Sequence, residues 1–176
     1  RSLFYKFFPA PKYLEMPSVG MDISEVSLRF VELIPKGRGL VLGKHGERPI
    51  PPGVIAEGEI KDMAVFADVL RKVRKDFGIR FVRASLSEAH AYLADVLIPR
   101  VPLKDLRESL ELQIDQHVPL SPNDLFFDYN ILDNEKKSAQ IKLGVSVVPR
   151  GPVLQYMEAF SSAGLALLSI EVDADA

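Results

Sequence analysis

The chain of 176 residues contains no cysteine, so it has neither a disulfide framework nor a thiolate metal site. No apolar run approaches the roughly 18 residues that a membrane-spanning helix requires. Basic side chains are not in excess, because 22 Lys and Arg stand against 24 Asp and Glu, for a formal net charge of −2. This balance argues against a dedicated nucleic-acid binder.

The familiar motifs of catalysis are also missing. The three histidines, His45, His90 and His117, have no i, i+4 spacing and form no H-E-x-x-H. There is no G-x-S-x-G elbow and no P-loop lysine. Asp173 and Asp175 share a face of a predicted strand, but nothing else supports a metal site there. The sequence therefore predicts no catalytic residue and no metal ligand, and a hydrolase is the less favoured class.

Residues 1–17 combine aromatic and leucine side chains with three prolines. Proline fixes φ and removes a backbone donor, so this segment is predicted to be an extended N-terminal arm. We expect the arm to pack on the surface of the domain. The alternative is contact with a membrane surface. The side chains available for that contact are Leu3, Phe4, Lys6, Phe7, Phe8 and Lys12.

Alternating apolar residues between turn residues predict nine strands. These are Val19–Ile23, Val26–Leu33, Leu40–Leu42, Val54–Ile60, Ile79–Leu86, Ala91–Ile98, Asp124–Leu132, Ala139–Val148 and Ala166–Val172. The elements do not follow a strict βαβ alternation along the chain. Their predicted order is four strands and a helix, two strands and a helix, two strands and a helix, and a last strand. It predicts an α/β chain with mixed sheets and two subdomains.

Helical periodicity predicts three helices. The first begins after Asp62 as N-cap and ends at Gly78. The second has its apolar face on Leu103, Leu106, Leu110, Ile114 and His117. The third opens at residues 149–152, ends at Gly164 and is expected to turn four side chains inward. Those four are Val153, Leu154, Met157 and Phe160.

Five segments carry the signature of a known family. They read GMDISEVSLRFVEL, PPGVIAEGEIKD, FGIRFVRASLSE, PLKDLRESLELQIDQHVPLSPNDLFFDYNIL and YMEAFSSAGLALLSIEVDADA. They resemble type IV pilus assembly proteins of the PilM kind, relatives of the cell-division protein FtsA in the actin-like ATPase superfamily. The family usually reads GIDIGSSSIKLVEL at the first segment, and EAEQYIPFPLDEVVLDY where this chain has QHVPLSPNDLFFDY. The resemblance covers residues 18–176 in order.

The resemblance implies an α/β fold: a partial actin-like (ribonuclease H-like) subdomain with an inserted strand–helix–strand–strand subdomain of the SHS2 type. On this sequence the actin-like part is expected at residues 18–84 and 166–176, and the insert at 85–165. The second half of the family, with its other phosphate loop and adenosine pocket, is not in this sequence. ATP and magnesium are therefore expected only for a full-length protein, and this fragment is expected to hold no cofactor.

The resemblance also identifies a degenerate phosphate loop. Its nucleotide-binding positions correspond to Asp22, Ser24, Ser27 and Arg29, while Glu25 replaces a serine of the family. A carboxylate close to a phosphate repels it by about 1 kcal/mol in water, and by more where water is excluded. Nucleotide binding is therefore expected to be weak or absent in this fragment. The other reading of this stretch is a plain turn between two strands.

The function implied by the resemblance is that of a structural adaptor. PilM-like proteins lie in the cytoplasm at the inner face of the cytoplasmic membrane and take up the N-terminal cytoplasmic peptide of PilN. They thereby connect the pilus motor ATPases to the inner-membrane alignment complex; peripheral membrane association and self-association are further expectations. Val101, Leu106 and Leu110 are the residues expected in the peptide groove, unless they are core. The alternatives are an FtsA-like or competence-type membrane-complex anchor, and a nucleotide-binding ATPase in the full-length protein.

Overall fold

The computed structural model describes residues 17–87, 91–133 and 138–173. Of the predicted arm, all but Pro17 lies outside the described residues, as does Asp175 of the aspartate pair. The described part of the chain holds ten strands and three α-helices. The strands are β1 Val19–Ile23, β2 Ser27–Lys36, β3 Gly39–Pro49, β4 Ile55–Ala56, β5 Glu59–Ile60, β6 Phe81–Ser87, β7 Tyr92–Pro99, β8 Leu125–Asp133, β9 Gln140–Pro149 and β10 Ala166–Asp173. The helices are α1 Met63–Phe77, α2 Leu106–Glu111 and α3 Arg150–Ser162.

The larger sheet has five strands in the order β10-β6-β1-β2-β3. Strand β1 runs antiparallel to β2 and parallel to β6, and β6 runs parallel to β10. Helices α1 and α3 contact one another and contribute to one hydrophobic cluster with the side chains of β1, β2 and β6. The largest side chains buried there include Met21, Leu28, Phe66, Leu70 and Phe160.

Local sequence explains where α1 begins and ends. The Oδ1 atom of Asp62 accepts a hydrogen bond of 3.0 Å from the Val65 N–H, which is the N-cap geometry. Gly78 follows the helix with φ 62°, a left-handed conformation that glycine adopts without penalty. Phe66, Leu70 and Val73 face the core at helical spacing. The predicted first helix is confirmed.

The smaller sheet has three antiparallel strands in the order β7-β9-β8. Its alternate residues, together with α2, bury a second hydrophobic cluster. Side chains at odd positions of β9 and even positions of β7 point into this cluster, because successive residues of a strand face opposite sides of the sheet. The members from the helical segment are Leu106, Leu110 and Ile114.

The second helix is shorter than predicted. Leu106–Glu111 is α-helical, while Leu103–Asp105 and Ile114–Gln116 are 3₁₀ turns. The Gln113 N–H bonds to the Leu110 carbonyl three residues back, which interrupts the α-helical pattern. The predicted apolar face is therefore wrong at its two ends, because the Leu103 side chain is 61% exposed and His117 is exposed.

Two other predictions need correction. Residues 54–60 form two short strands, not one, because the chain turns back at Glu57 and Gly58, whose φ values are 52° and 71°. In α3, Leu154 and Met157 are about half exposed, at 47% and 48%. Phe160 is buried as predicted, and the other buried residues of this helix are Tyr156 and Ala159.

Helix α3 lies with the first hydrophobic cluster, through Tyr156, Ala159 and Phe160, and not with the second. The family resemblance predicts an insert at residues 85–165. The strands and helix of the small sheet lie within residues 92–149. None of the helices in the described ranges is long and apolar enough to cross a membrane.

Candidate functional site

A cleft of about 470 Å³ lies between the two sheets. One wall is the end of the larger sheet, where Ile23, Leu86 and Ile170 come from three neighbouring parallel strands. Ile23 and Leu86 are paired across β1 and β6 near the carboxyl ends of both strands. Ligands of open α/β sheets bind outside the carboxyl ends of the strands, so this position is typical of a binding site.

The second wall is the face of the smaller sheet that points away from α2. Because side chains alternate along a strand, the even-numbered residues of β8 and β9 share this face. The cleft is lined by three cross-strand pairs of such residues. They are Phe126 with Val148, Asp128 with Ser146, and Asn130 with Gly144.

The start of α3 closes one side of the cleft through Pro152, Val153 and Tyr156. Tyr156 is only 3% exposed, and its ring meets Phe66 edge-on at 5.8 Å between centroids. Burial raises the pKa of the Tyr156 hydroxyl to about 12, with a smaller contribution from the nearby negative charge of Glu25. The tyrosine therefore stays neutral, as a structural wall of the cleft.

The charged side chains that line the cleft are acidic. Glu25, Asp128 and Glu171 contribute carboxylates, and no lysine, arginine or histidine of the described ranges is among the lining residues. One cation is nearby, because the guanidinium of Arg150 stacks on the Phe126 ring at 4.6 Å. An apolar cleft with acidic groups favours apolar and cationic ligands over a phosphate.

Residues 24–27, which the family resemblance predicts to be a degenerate phosphate loop, form a closed turn beside this cleft. The Ser24 N–H donates to the Ser27 carbonyl at 3.0 Å, and the Ser27 N–H donates to Ser24 Oγ at 3.1 Å. Ser24 and Glu25 line the cleft, whereas Ser27 is buried under the turn. Ser24 and Ser27 therefore lie close together, but the Ser24 hydroxyl is occupied by the hydrogen bond that stabilises the turn.

Asp22 and Arg29 are cross-strand neighbours, and both are exposed. The Nε atom of Arg29 lies 3.1 Å from Oε1 of Glu47, on the adjacent strand β3. A hydrogen bond from Ser27, followed by the hydrogen bond and charge of Arg29, lowers the pKa of Glu47. The one cation expected to meet a phosphate is therefore paired with a carboxylate.

The residues predicted for partner binding lie elsewhere. Leu106 and Leu110 are 1% and 0% exposed in the second hydrophobic cluster, and Val101 packs against it. None of the three lines the cleft. The run Phe126-Phe127 is apolar on both faces of one strand, and this is the sequence signal that indicates a second covered face of the small sheet.

No group of three or more His, Asp or Glu side chains that could hold a metal ion occurs in the ranges that the structure describes.

The fold and the cleft define a class: a mixed α/β fragment that matches the actin-like ATPase fold. A PilM–PilN type IV pilus biogenesis complex superposes with a TM-score of 0.78 at 24% identity, over 89% of this chain and 47% of that one. The cytoplasmic domain of EpsL from the Vibrio cholerae type II secretion system gives 0.60 at 11% identity, over 88% and 57%.

A model of the family described as type IV pilus assembly protein PilM matches residues 20–176. The chain belongs to this family, as the resemblance of the sequence motifs implied. It spans about half the length of the PilM–PilN complex chain that it matches. A sequence comparison with curated proteins gives no significant match.

Proposed function

We propose that this chain is a structural adaptor of type IV pilus assembly that binds the N-terminal cytoplasmic peptide of PilN. The cleft between the two sheets is its binding site. The observation that carries the proposal is the chemistry of that cleft, which combines apolar walls with carboxylates over about 470 Å³. A similar structure is a complex with PilN, which supports the choice of partner.

The apolar walls supply most of the expected binding energy. Phe126 and Val148 stand on the small sheet and Val153 on α3, so an apolar side chain between them would lose contact with water on both sides. Glu25 and Glu171 add attraction for a cationic residue of the peptide. A peptide with apolar and basic residues therefore fits the site better than an acidic one.

The same residues support weak or absent nucleotide binding in this chain. Glu25 lines the cleft beside the turn, the Ser24 hydroxyl accepts from the Ser27 N–H, and Arg29 is paired with Glu47. A phosphate at this turn would meet a negative charge and would have to break two existing interactions. ATP and magnesium remain proposals for a full-length protein.

The rest of the proposal follows from family membership. The adaptor would act in the cytoplasm at the inner face of the cytoplasmic membrane, between the motor ATPases and the alignment complex, with peripheral membrane association and self-association. We also infer that residues 92–149 are the inserted subdomain, with α3 in the actin-like part. An FtsA-like or competence-type anchor is the competing role.

Calorimetric titration of the chain with a synthetic N-terminal peptide of the PilN from the same pilus system tests the proposal. Val153→Arg fills part of the cleft and adds a positive charge, so we expect at least a tenfold loss of affinity, or about 1.4 kcal/mol. Leu154→Arg is the matched control, because the neighbouring Leu154 is half exposed and does not line the cleft. Equal losses in both variants, or no binding by the unmodified chain, would contradict the proposal.

Two further titrations separate the competing roles. Peptide affinity should fall as ionic strength rises, since the carboxylates of the cleft attract a cationic ligand through screened charges. ATP with magnesium should give no saturable binding in the micromolar range. Micromolar binding of the nucleotide would refute the degenerate-loop part of the proposal and favour an ATPase role.

A further inference from the structure

The hairpin of β2 and β3 projects from the larger sheet. Strand β1 pairs with β2 only from Leu28 to Val31, whereas β2 and β3 pair with each other as far as Lys36 and Gly39. In the described part of the chain, residues 33–42 therefore pair with no third strand, and we call them the hairpin tip. At about 3.3 Å per residue, the tip reaches about 15 Å beyond the last pair of β1 and β2.

The hairpin tip is apolar on both of its faces and carries only positive charge. Directly opposed residues of two paired strands share a face, and successive pairs alternate between the two faces. Two pairs therefore lie on one face and a third on the other: Leu33 with Leu42 and Pro35 with Leu40, against Ile34 with Val41. The leucine, isoleucine and valine side chains among them are all exposed, as are the charged residues Lys36 and Arg38. Exposed apolar clusters of this kind mark interaction sites, and here a partner must cover both faces.

The chemistry of the hairpin tip is complementary to that of the cleft. The cleft combines apolar walls with the carboxylates of Glu25, Asp128 and Glu171, and its lining includes no basic side chain of the described residues. A ribbon placed between two walls loses contact with water on both faces, which a single flat surface does not achieve. The cations of Lys36 and Arg38 are attracted by the carboxylates of the cleft. Apolar area and charge therefore favour the same pairing.

The hairpin tip cannot reach the cleft of its own chain. The cleft lies at the carboxyl end of β1, where Ile23 pairs with Leu86. The tip extends beyond the amino end of the same strand, because β2 runs antiparallel to β1. The pairing of β1 with β2 fixes this direction. A cleft that receives the tip therefore belongs to a second copy of the chain.

We infer that this chain associates head to tail, with the hairpin tip of one copy in the cleft of the next. A contact between two different surfaces leaves one tip and one cleft free in a dimer, so association continues into longer oligomers or closes into a ring. The inference uses the cleft of the proposed function and gives it a second ligand. Because both ligands occupy one site, binding of the PilN peptide and association of the chain exclude each other.

Sedimentation equilibrium at rising protein concentration tests the inference, and the mean mass of the unmodified chain should rise. Leu40→Asp puts a negative charge on the tip, and Val153→Arg puts a positive charge in the cleft. Each alone should weaken self-association by about tenfold or more. Leu103→Asp is the matched control, because Leu103 is 61% exposed, close to the 62% of Leu40, and belongs to neither surface. A chain that stays monomeric at every concentration, or an equal loss in the control, would overturn the inference.

A mixture of the two variants tests the direction of the contact. Leu40→Asp keeps an intact cleft and Val153→Arg keeps an intact tip, so together they should form a one-to-one dimer that does not grow. A contact between two tips would instead leave the self-association of Val153→Arg unchanged. That result would refute the head-to-tail arrangement.

Competition with the peptide separates this inference from the proposed function. Saturating PilN peptide should return the unmodified chain to a monomer. If the peptide binds and the oligomers persist, the inference fails and the proposed function stands. If the chain associates with the expected pattern of variants but does not bind the peptide, the proposed function fails and the inference stands.

Discussion

The carboxylate of Glu25 accepts a hydrogen bond of 2.6 Å from the backbone N–H of Glu57. Glu57 has φ 52° and stands in the turn between β4 and β5, whereas Glu25 stands in the turn between β1 and β2. The acidic side chain of Glu25 therefore ties two turns together at the side of the cleft. Its structural and its electrostatic effects can be separated by substitution.

Glu25→Ala should lower the free energy of unfolding by about 1 kcal/mol, because a charge-assisted hydrogen bond to a strained turn is lost. Glu25→Gln keeps an acceptor oxygen and should lose about half as much. Urea unfolding at neutral pH measures both, with Glu158→Ala on the exposed side of α3 as a control for the loss of one charge. A loss as large in the control as in Glu25→Ala would contradict the role of the bond.

Burial of Tyr156 makes stability depend on alkaline pH. The folded hydroxyl has a pKa of about 12, above the value of about 10 in an unfolded chain, so the folded state holds this proton more tightly. The stability contributed by the neutral tyrosine is complete below pH 10. It is lost as pH rises from about 10 to about 12.

Tyr156→Phe removes this titration, so the unfolding free energy of the variant should fall less steeply above pH 10. The difference between the two proteins should change by about 2 to 3 kcal/mol across the window, following the pKa difference. Ultraviolet absorbance of tyrosinate gives a direct check, since one tyrosine should ionise well after the others. Parallel pH profiles for the two proteins would mean that Tyr156 is accessible to water when folded.

Features set by neighbouring residues were predictable from the sequence. Asp62 and Gly78 lie at the ends of α1, and their capping chemistry acts over three residues. The face of α3 was not predictable in this way. Its apolar residues allow either a stripe with Leu154 and Met157 or one with Tyr156 and Ala159, and only the packing partners on α1 and β5 select the second.

The cleft illustrates the same limit. Ile23, Leu86, Phe126 and Val153 come from parts of the chain more than twenty residues apart, so no local pattern brings them together. The resemblance to a family supplied the fold, and it implied a peptide groove. It did not supply the lining residues, because an apolar helix such as Leu106–Glu111 has the same sequence pattern whether it faces a core or a ligand.

Gly164 holds the turn between α3 and β10 with φ +71°. Gly164→Ala should cost about 1 to 2 kcal/mol of unfolding free energy, since an L side chain disfavours that conformation. A Cβ there would also lie 3.1 Å from Cζ of Arg74, which is the movable end of a long side chain. Gly151→Ala is the matched control, because its Cβ would enter open space near the start of α3 and should cause no loss. Equal effects at both positions in thermal unfolding would refute the argument.

Substitution of Leu106 tests whether this residue belongs to the core or to a binding surface. The family resemblance led to the expectation that Leu106 lies in a peptide groove, whereas the structure buries its side chain to 1% exposure. Leu106→Ala should lower the unfolding free energy by about 2 to 5 kcal/mol, as a cavity forms in the second hydrophobic cluster. Leu103→Ala, at a position 61% exposed, should change it by less than about 0.5 kcal/mol. Peptide titration at a temperature where Leu106→Ala remains folded should give the unmodified affinity, since the cleft lies on the opposite face of the small sheet. An affinity loss in that folded variant, with Leu103→Ala unaffected, would return Leu106 to the binding surface and displace the cleft from its proposed role.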